Sequence, residues 1–247
     1  PPPPPPPLAP ATRLGQAEPG VHPLRGIRRA TARAMDTSWS TIPHVTAMNE
    51  IDASALLAAR ASLREAAAPT GVNVTPLAIM MVAVARALRR YPLVNATLDL
   101  AGETITVHGR VGISVAVASE QGLMVPVVAD ADRLGVLAMA AEVARLSEAA
   151  RTGTVTAAEL AGSTFTVTNY GSNGGYFAAP IIRPGESGIM GFGAIAARPF
   201  VVDDRVEARP VLPIVMSADH RLVDGDLLSA FHECVASALS DPVTLLL

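Results

Sequence analysis

The sequence predicts an α/β fold of the two-layer α+β kind, a mixed sheet with helices largely on one face. Three observations predict it. Hydrophobic residues make up 50% of the 247 positions, enough to fill a substantial core. Runs with helical periodicity alternate along the chain with runs whose apolar residues recur every second position. The order mixes hairpins with helices instead of repeating one strand–helix unit, which argues against a purely parallel sheet.

The elements follow in order. Pro1 to Pro7 form a homopolymer, and residues 9–20 continue its small, proline-containing character. Such a stretch favours polyproline II and buries nothing, so residues 1–22 are expected to be a flexible linker and residues 23–247 the folded domain. Ile27, Ala30, Ala34 and Met35 stand at helical spacing within 25–39. Alternation over 45–51 predicts a strand, and Asp52 is placed to cap a helix reaching about Ala67. Thr75-Pro76 is a cap followed by proline at the first helical position. The helix it opens, to about Tyr91, is apolar nearly all round (Leu77, Ile79, Met80, Met81, Val82, Val84), which predicts burial.

Strands are expected over 104–108, 111–118 and 123–128, the last two joined as a hairpin through 119–122. A long helix is expected over 134–151. Thr156-Ala157-Ala158-Glu159 is a capping box, expected to open a shorter helix. Further strands are expected at 165–168, 188–192, 200–202 with 206–208, and 211–217. The last helix runs from Asp224 to about Leu239.

Composition excludes several chemistries. The net charge of −3 gives no electrostatic case for nucleic acid. All 19 cationic side chains are Arg, so this stretch of chain holds no Schiff-base lysine, P-loop lysine or lipoyl-lysine. A single cysteine, Cys234, can form neither an intrachain disulfide nor a Cys-rich zinc site; in its apolar run it reads as an inert, buried thiol. No window has the roughly 20 apolar residues of a membrane span. The expectation is a soluble protein of a reducing compartment, with no metal, no membrane and no nucleic acid.

Two segments carry candidate chemistry. The strand over 211–217 runs into Asp219-His220-Arg221-Leu222-Val223-Asp224-Gly225, and a helix follows. A histidine between strand and helix is well placed for presentation, and a neutral imidazole accepts a proton near physiological pH. Asp224, four residues on, suits two jobs: fixing local structure as a cap or ion pair, or acting on the histidine electrostatically. The second segment is Gly162 to Gly175, where a strand ends in Thr168 and Asn169 before a glycine-rich loop beginning at Gly171. Hydroxyls at a strand end can donate to an oxyanion, although such a segment alone is most often a tight turn.

Taken together, these segments resemble the catalytic domain of the dihydrolipoyl acyltransferases, the E2 components of 2-oxo acid dehydrogenase complexes. Five features match in order: Arg28-Arg29 with Met35; Thr41-Ile42-Pro43-His44-Val45-Thr46; Gly112 to Ala118 followed by Gly122 to Val128; Phe165 to Gly171; and Ser217 to Gly225. The resemblance covers residue 24 to the C-terminus. It implies a chloramphenicol-acetyltransferase-like fold and a homotrimeric building block with active sites between subunits. It assigns His220, Asp224 and Thr168 to catalysis, and Asn169, Gly171 and Ser217 to substrate binding. His220 would take a thiol proton and Thr168, where many members carry Ser, would donate to the oxyanion, with Asn169 as the back-up donor. A structural role for Asp224 is favoured, since some members carry Asn there.

The implied reaction is acyl transfer between dihydrolipoamide and coenzyme A. The lipoyl group would come from a separate domain, and the E1 and E3 components would attach through further upstream domains not in this sequence. Small residues at Gly174, Gly175, Ala178 and Ala179 leave room for acetyl or branched acyl groups, and no cation dedicated to a succinyl carboxylate is evident. The apolar C-terminus, Leu245 to Leu247, is expected to dock into another subunit, joining trimers into a cubic or dodecahedral core. The alternative reading is a non-catalytic scaffold subunit of the same fold and complex; retention of His220 argues against it.

Overall fold

The computed structural model describes residues 19–119 and 122–246, so most of the expected linker and part of the link after Ser119 lie outside the described residues. Residues 19–25 carry no regular element, and the chain enters its first helix at Gly26.

The helices are α1 (Gly26–Thr41), α2 (Ser54–Ala67), α3 (Pro76–Arg90), α4 (Val136–Thr152) and α5 (Gly225–Ser240). A seven-stranded mixed sheet is built from β1 (His44–Asp52), β4 (Ile113–Val115), β7 (Val127–Val128), β8 (Phe165–Asn169), β9 (Gly188–Phe192), β10 (Ala196–Val202) and β11 (Arg205–Asp219). Its order is β1-β11-β9-β8-β4-β7, with β10 paired to the first half of β11. The β4–β8 and β8–β9 pairs are parallel; the others are antiparallel. Two small ribbons stand apart, β2 (Ala96–Asp99) with β3 (Thr104–Val107), and β5 (Val117–Ser119) with β6 (Gly122–Met124).

Helices α2 to α5 share one core with one face of this sheet. α3 lies at its centre, with ten consecutive-turn residues from Ala78 to Leu88 buried. Its start is as expected: Thr75 accepts a hydrogen bond from Ala78 N–H, and Pro76 follows. α1 sits on the opposite face, and Ser38 is its only buried residue among those described.

Several expectations need correction. The helix after Asp52 is capped at Ala53; the Asp52 carboxylate instead accepts from Ser54 N–H, two residues on. The capping box at Thr156 forms, with Glu159 and Thr156 bonded reciprocally, but only a single 3₁₀ turn follows. Gly162, at φ 79°, ends any helix before β8 begins. The strands expected over 111–118 and 123–128 are each divided between the main sheet and the β5–β6 ribbon. The breaks fall at Ala116, whose N–H turns to Val167 of β8, and at Pro126, which has no N–H to offer.

Conversely, the strands expected over 206–208 and 211–217 are one, β11, despite Pro210 and Pro213. Pro213's carbonyl accepts from Gly193 N–H, so its missing donor faces the same edge. That edge is where the neighbour of β11 changes from β10 to β9, and no ladder bond is lost there. The C-terminus also differs. Leu245 is buried within its own chain's core, and Thr244 carbonyl accepts from Arg86, so this leucine is not free to dock elsewhere. The side chains of Leu246 and Leu247 lie outside the description.

Candidate active site

Strand alternation divides the sheet's residues between two environments. Phe165 and Val167, Met190 and Phe192, and Leu212, Ile214, Met216 and Ala218 point into the helix-covered core. The residues between them face α1. One cross-strand row on that face reads Ser114, Thr166, Ile189, Ser217, Thr46. Its ends are hydrogen-bonded pairs, Ser114 Oγ with Thr166 Oγ1 at 2.7 Å and Thr46 Oγ1 with Ser217 Oγ at 3.0 Å. Ser217 is therefore buried in the sheet and engaged with β1.

The next row holds Thr168, Gly191, Val215 and Met48. Thr168 is half-buried, and its hydroxyl has no hydrogen-bond partner among the described residues. Thr166 differs: its proton goes to Glu186 Oε2 at 2.6 Å, so Ser114 must be the donor to Thr166. Thr168 thus carries the free hydroxyl donor at the end of β8. Just beyond it, Asn169 Oδ1 accepts from Gly171 N–H at 3.1 Å, pinning the turn. Gly171 has to be glycine, because a Cβ there would run into the Gly193 backbone.

Between this face and α1 lies a cavity of about 560 Å³. Thr166 and Thr168 form its floor, and Ile27, Ala34 and Met35 of α1 part of its roof. Its volume suits a ligand arm rather than a water cluster. Pro180, Ile181 and Arg183 close one side; Gly174, Gly175, Ala178 and Ala179 do not line it, so the room expected from those small residues is not in this wall.

Arg183 and Glu186 are the site residues that sequence reasoning missed. The signal was available, since they are the only charged residues between Glu159 and Arg198. Glu186, 5% exposed, accepts from Ser163 and Thr166 at 2.6 Å each. Burial pushes its carboxyl above the usual range, against the pull of those two hydroxyls and the Arg183 charge.

His220 is elsewhere. It follows β11 in a turn held by Leu222 and Val223 N–H groups on the Asp219 carbonyl, both at 2.9 Å. Asp219, nearly fully buried, braces the turn with a two-point ion pair to Arg221 and raises that guanidinium's pKa. His220 N–H donates to Pro43 O at 2.9 Å, while its side chain is exposed and makes no hydrogen bond among the described residues. Asp224 caps α5, accepting from Leu227 N–H at 3.0 Å, and no hydrogen bond or ion pair joins it to His220. Among the described residues no group of three or more His, Cys, Asp and Glu side chains is placed to hold a metal ion.

The separation of His220 from Thr168 follows from register. Thr168 lies level with Val215, and His220 is five residues further along, about 17 Å in strand rise. The two groups therefore occupy opposite ends of the same sheet, two strands apart.

Residues 16–247 match the family model described as 2-oxoacid dehydrogenases acyltransferase (catalytic domain). The dihydrolipoyllysine-residue acetyltransferase component of the pyruvate dehydrogenase complex of Bacillus subtilis is 37% identical over 224 residues, covering 91% of this chain and 51% of that protein. The chain thus spans about half the length of this curated relative. The dihydrolipoamide acetyltransferase (E2p) of Azotobacter vinelandii, investigated for the catalytic roles of a serine, a histidine and an asparagine, superimposes with a TM-score of 0.88 at 31% identity, covering 98% of this chain and 100% of that one. A cubic core of the pyruvate dehydrogenase multienzyme complex gives the same values. Chloramphenicol acetyltransferase, at 15% identity and TM-score 0.53 over 84% of this chain and 94% of that one, shares the fold.

Proposed function

The chain belongs to the 2-oxoacid dehydrogenase acyltransferase family, and from that premise we propose that it transfers an acyl group between dihydrolipoamide and coenzyme A at a site shared by two subunits. The observation that carries this reading is the placement of His220 and Thr168 at opposite ends of one sheet. One chain cannot bring them to the same substrate. Two copies can, if the His220 end of one meets the Thr168 end of the next. Such a contact joins unlike surfaces, and head-to-tail contacts of that kind close into rings; the family resemblance makes this ring a trimer. Trp39, 71% exposed beside the His44 ring, gives the His220 end an apolar surface suited to such a contact.

In that site His220 takes the proton of the incoming thiol, which at a pKa of about 8.5 is mostly protonated at neutral pH. The thiolate adds to the thioester carbonyl. The free hydroxyl of Thr168 donates to the oxyanion that forms. Collapse breaks the original C–S bond, and the departing sulfur recovers the proton from the imidazolium. The serine, histidine and asparagine studied in the Azotobacter protein stand at the same spacing as Thr168, His220 and Asp224 here, which supports these assignments. Because Asp224 Oδ1 is engaged in the α5 cap, its part is to hold the turn that presents His220.

Acetyl is the favoured acyl group, since the curated relatives are named acetyltransferases; a branched-chain acyl group is the second choice, and succinyl the third. The lipoyl group arrives from a separate domain, the chain works inside a 2-oxo acid dehydrogenase complex with E1 and E3 components, and the trimers form a larger core. Leu245 does not contribute to that core, being buried at home.

The shared site is tested by mixing. His220→Ala and Thr168→Val, each expected to be inactive alone in acetyl transfer from acetyl-CoA to dihydrolipoamide, are co-refolded. Recovery of activity in mixed oligomers is expected, because some sites then pair an intact His220 with a neighbour's intact Thr168. No recovery, with mixed oligomers demonstrated by mass spectrometry, would overturn the shared site.

A further inference from the structure

Among the described residues, Arg183 is the only charged side chain lining the cavity. The rest of the wall is apolar apart from the hydroxyls of Thr31, Thr166 and Thr168. Arg183 Nη1 is buried and has no hydrogen-bond partner among the described residues. The nearest candidate counter-ion, Glu186, has both oxygens engaged by Ser163 and Thr166, and no ion pair joins it to Arg183 among the described residues. A buried guanidinium N–H left unpaired is costly unless something completes it, and Arg183 is also a lining residue of the cavity.

Its position is also held with unusual care by the backbone. Ile182 N–H donates to His44 Nε2 at 3.0 Å, and the Ile182 carbonyl accepts from Ser38 Oγ at 2.6 Å. His44 Nδ1, bonded to the Ile42 carbonyl at 2.8 Å, must then be the protonated nitrogen, so the ring is a neutral, fixed clamp. On the other side, the Arg183 carbonyl accepts from Glu186 N–H at 3.1 Å. The segment is tied to α1 and β1 and closed by its own turn before β9. Preorganisation of this kind is what a recognition group needs and what a solvent-facing arginine does not.

We infer that Arg183 makes this cavity recognise an anionic oxygen group, carboxylate or phosphate, on the ligand. The inference rests on the acyltransferase reading. Two sources can supply the anion: a carboxylate carried by the acyl chain, or a phosphate of coenzyme A. A planar guanidinium suits either, by paired N–H donors.

The experiment compares wild type, Arg183→Gln and Arg183→Lys with dihydrolipoamide as acceptor and four donors: acetyl-CoA, succinyl-CoA, S-acetylpantetheine and S-succinylpantetheine. Loss of a charged hydrogen bond should lower kcat/KM by about tenfold or more for the ligands that carry the anion. If the acyl carboxylate is the ligand, Arg183→Gln loses activity with both succinyl donors and keeps it with both acetyl donors. If a phosphate is the ligand, it loses activity with both coenzyme A thioesters and keeps it with both pantetheine thioesters. Arg183→Lys should recover part of the loss in either case. The inference is overturned if Arg183→Gln is unchanged with all four donors, if it falls equally with all four, or if it dissociates the oligomer in light scattering, which would make Arg183 an interface group. Acetyl transfer by the wild type is the separate control: its absence would defeat the acyltransferase reading. Arg183 would then be judged by calorimetric binding of coenzyme A against pantetheine, with equal affinities in wild type and Arg183→Gln counting against it.

Discussion

The two faces of the central sheet are made by the same strands and do different work. β8 gives Phe165 and Val167 to the helix-covered core and Thr166 and Thr168 to the cavity. The core face is apolar and closed. The cavity face carries a row of hydroxyls, a buried carboxylate and a guanidinium with one buried nitrogen unpaired among the described residues. Strand alternation lets one short segment of sequence set both stability and chemistry, so neighbouring substitutions should fail in different ways.

The largest effect is expected on the core face. Phe165 is fully buried, with its ring 5.9 Å from that of Phe231 on α5. Phe165→Ala should destabilise the fold by about 3–5 kcal/mol in urea unfolding, through lost transfer energy and the cavity left behind. The folded fraction should keep its rate constant. A normal unfolding midpoint with a fallen rate would break the division between faces.

Three residues along the same strand, Thr168→Val should do the opposite. Removing the free Thr168 hydroxyl should slow transfer by about 10²–10³-fold, near 3 kcal/mol of transition-state stabilisation. Thr168→Ser, which keeps the hydroxyl, should retain activity. Unfolding midpoints of both variants should match wild type. Equal loss in Val and Ser variants would mean that the side chain's packing, not its proton, matters.

Much of the core face was legible in the sequence, and less of the cavity face. α3 could be read from Thr75-Pro76 and its apolar run, because cap and burial are both local properties. β11 was split in the reading, with residues 209–210 left between two strands; only the sheet shows one strand running through Pro210, and that the missing donor of Pro213 falls where the neighbouring strand changes. β2 escaped notice because four residues are too few to display a period. At the site, His220 and Thr168 were legible as motifs, but their separation was not, since distance depends on the register of β8, β9 and β11. Arg183 escaped because its neighbours in sequence say nothing of the cavity it enters. What placed it there are the His44 and Ser38 bonds to Ile182, made across more than a hundred residues.

The smallest expected effect sets one buried titratable group from each side against the other. Glu186 on the cavity side is raised above the usual 4.5, first by burial, with its two hydroxyl bonds and Arg183 acting against. His232, on the buried side of α5, is lowered below the usual 6.5, again first by burial, with the Ile214 backbone and the Glu233 charge acting against. The signs differ. Above 4.5 the folded chain holds the Glu186 proton longer than the unfolded chain does, so its contribution is full below that value and is lost as pH rises through the raised folded value. Below 6.5 the unfolded chain binds the His232 proton first, so its contribution is full above that value and is lost as pH falls. Between 4.5 and 6.5 the two oppose each other. Glu186→Gln should therefore make stability rise more steeply with pH in this window, and His232→Gln should make it rise less steeply or fall. Urea midpoints at several pH values measure both slopes. If Glu186→Gln leaves the slope where it was, the carboxyl titrates alike in the folded and unfolded chains, and the cavity face is wetter than its hydrogen bonds imply.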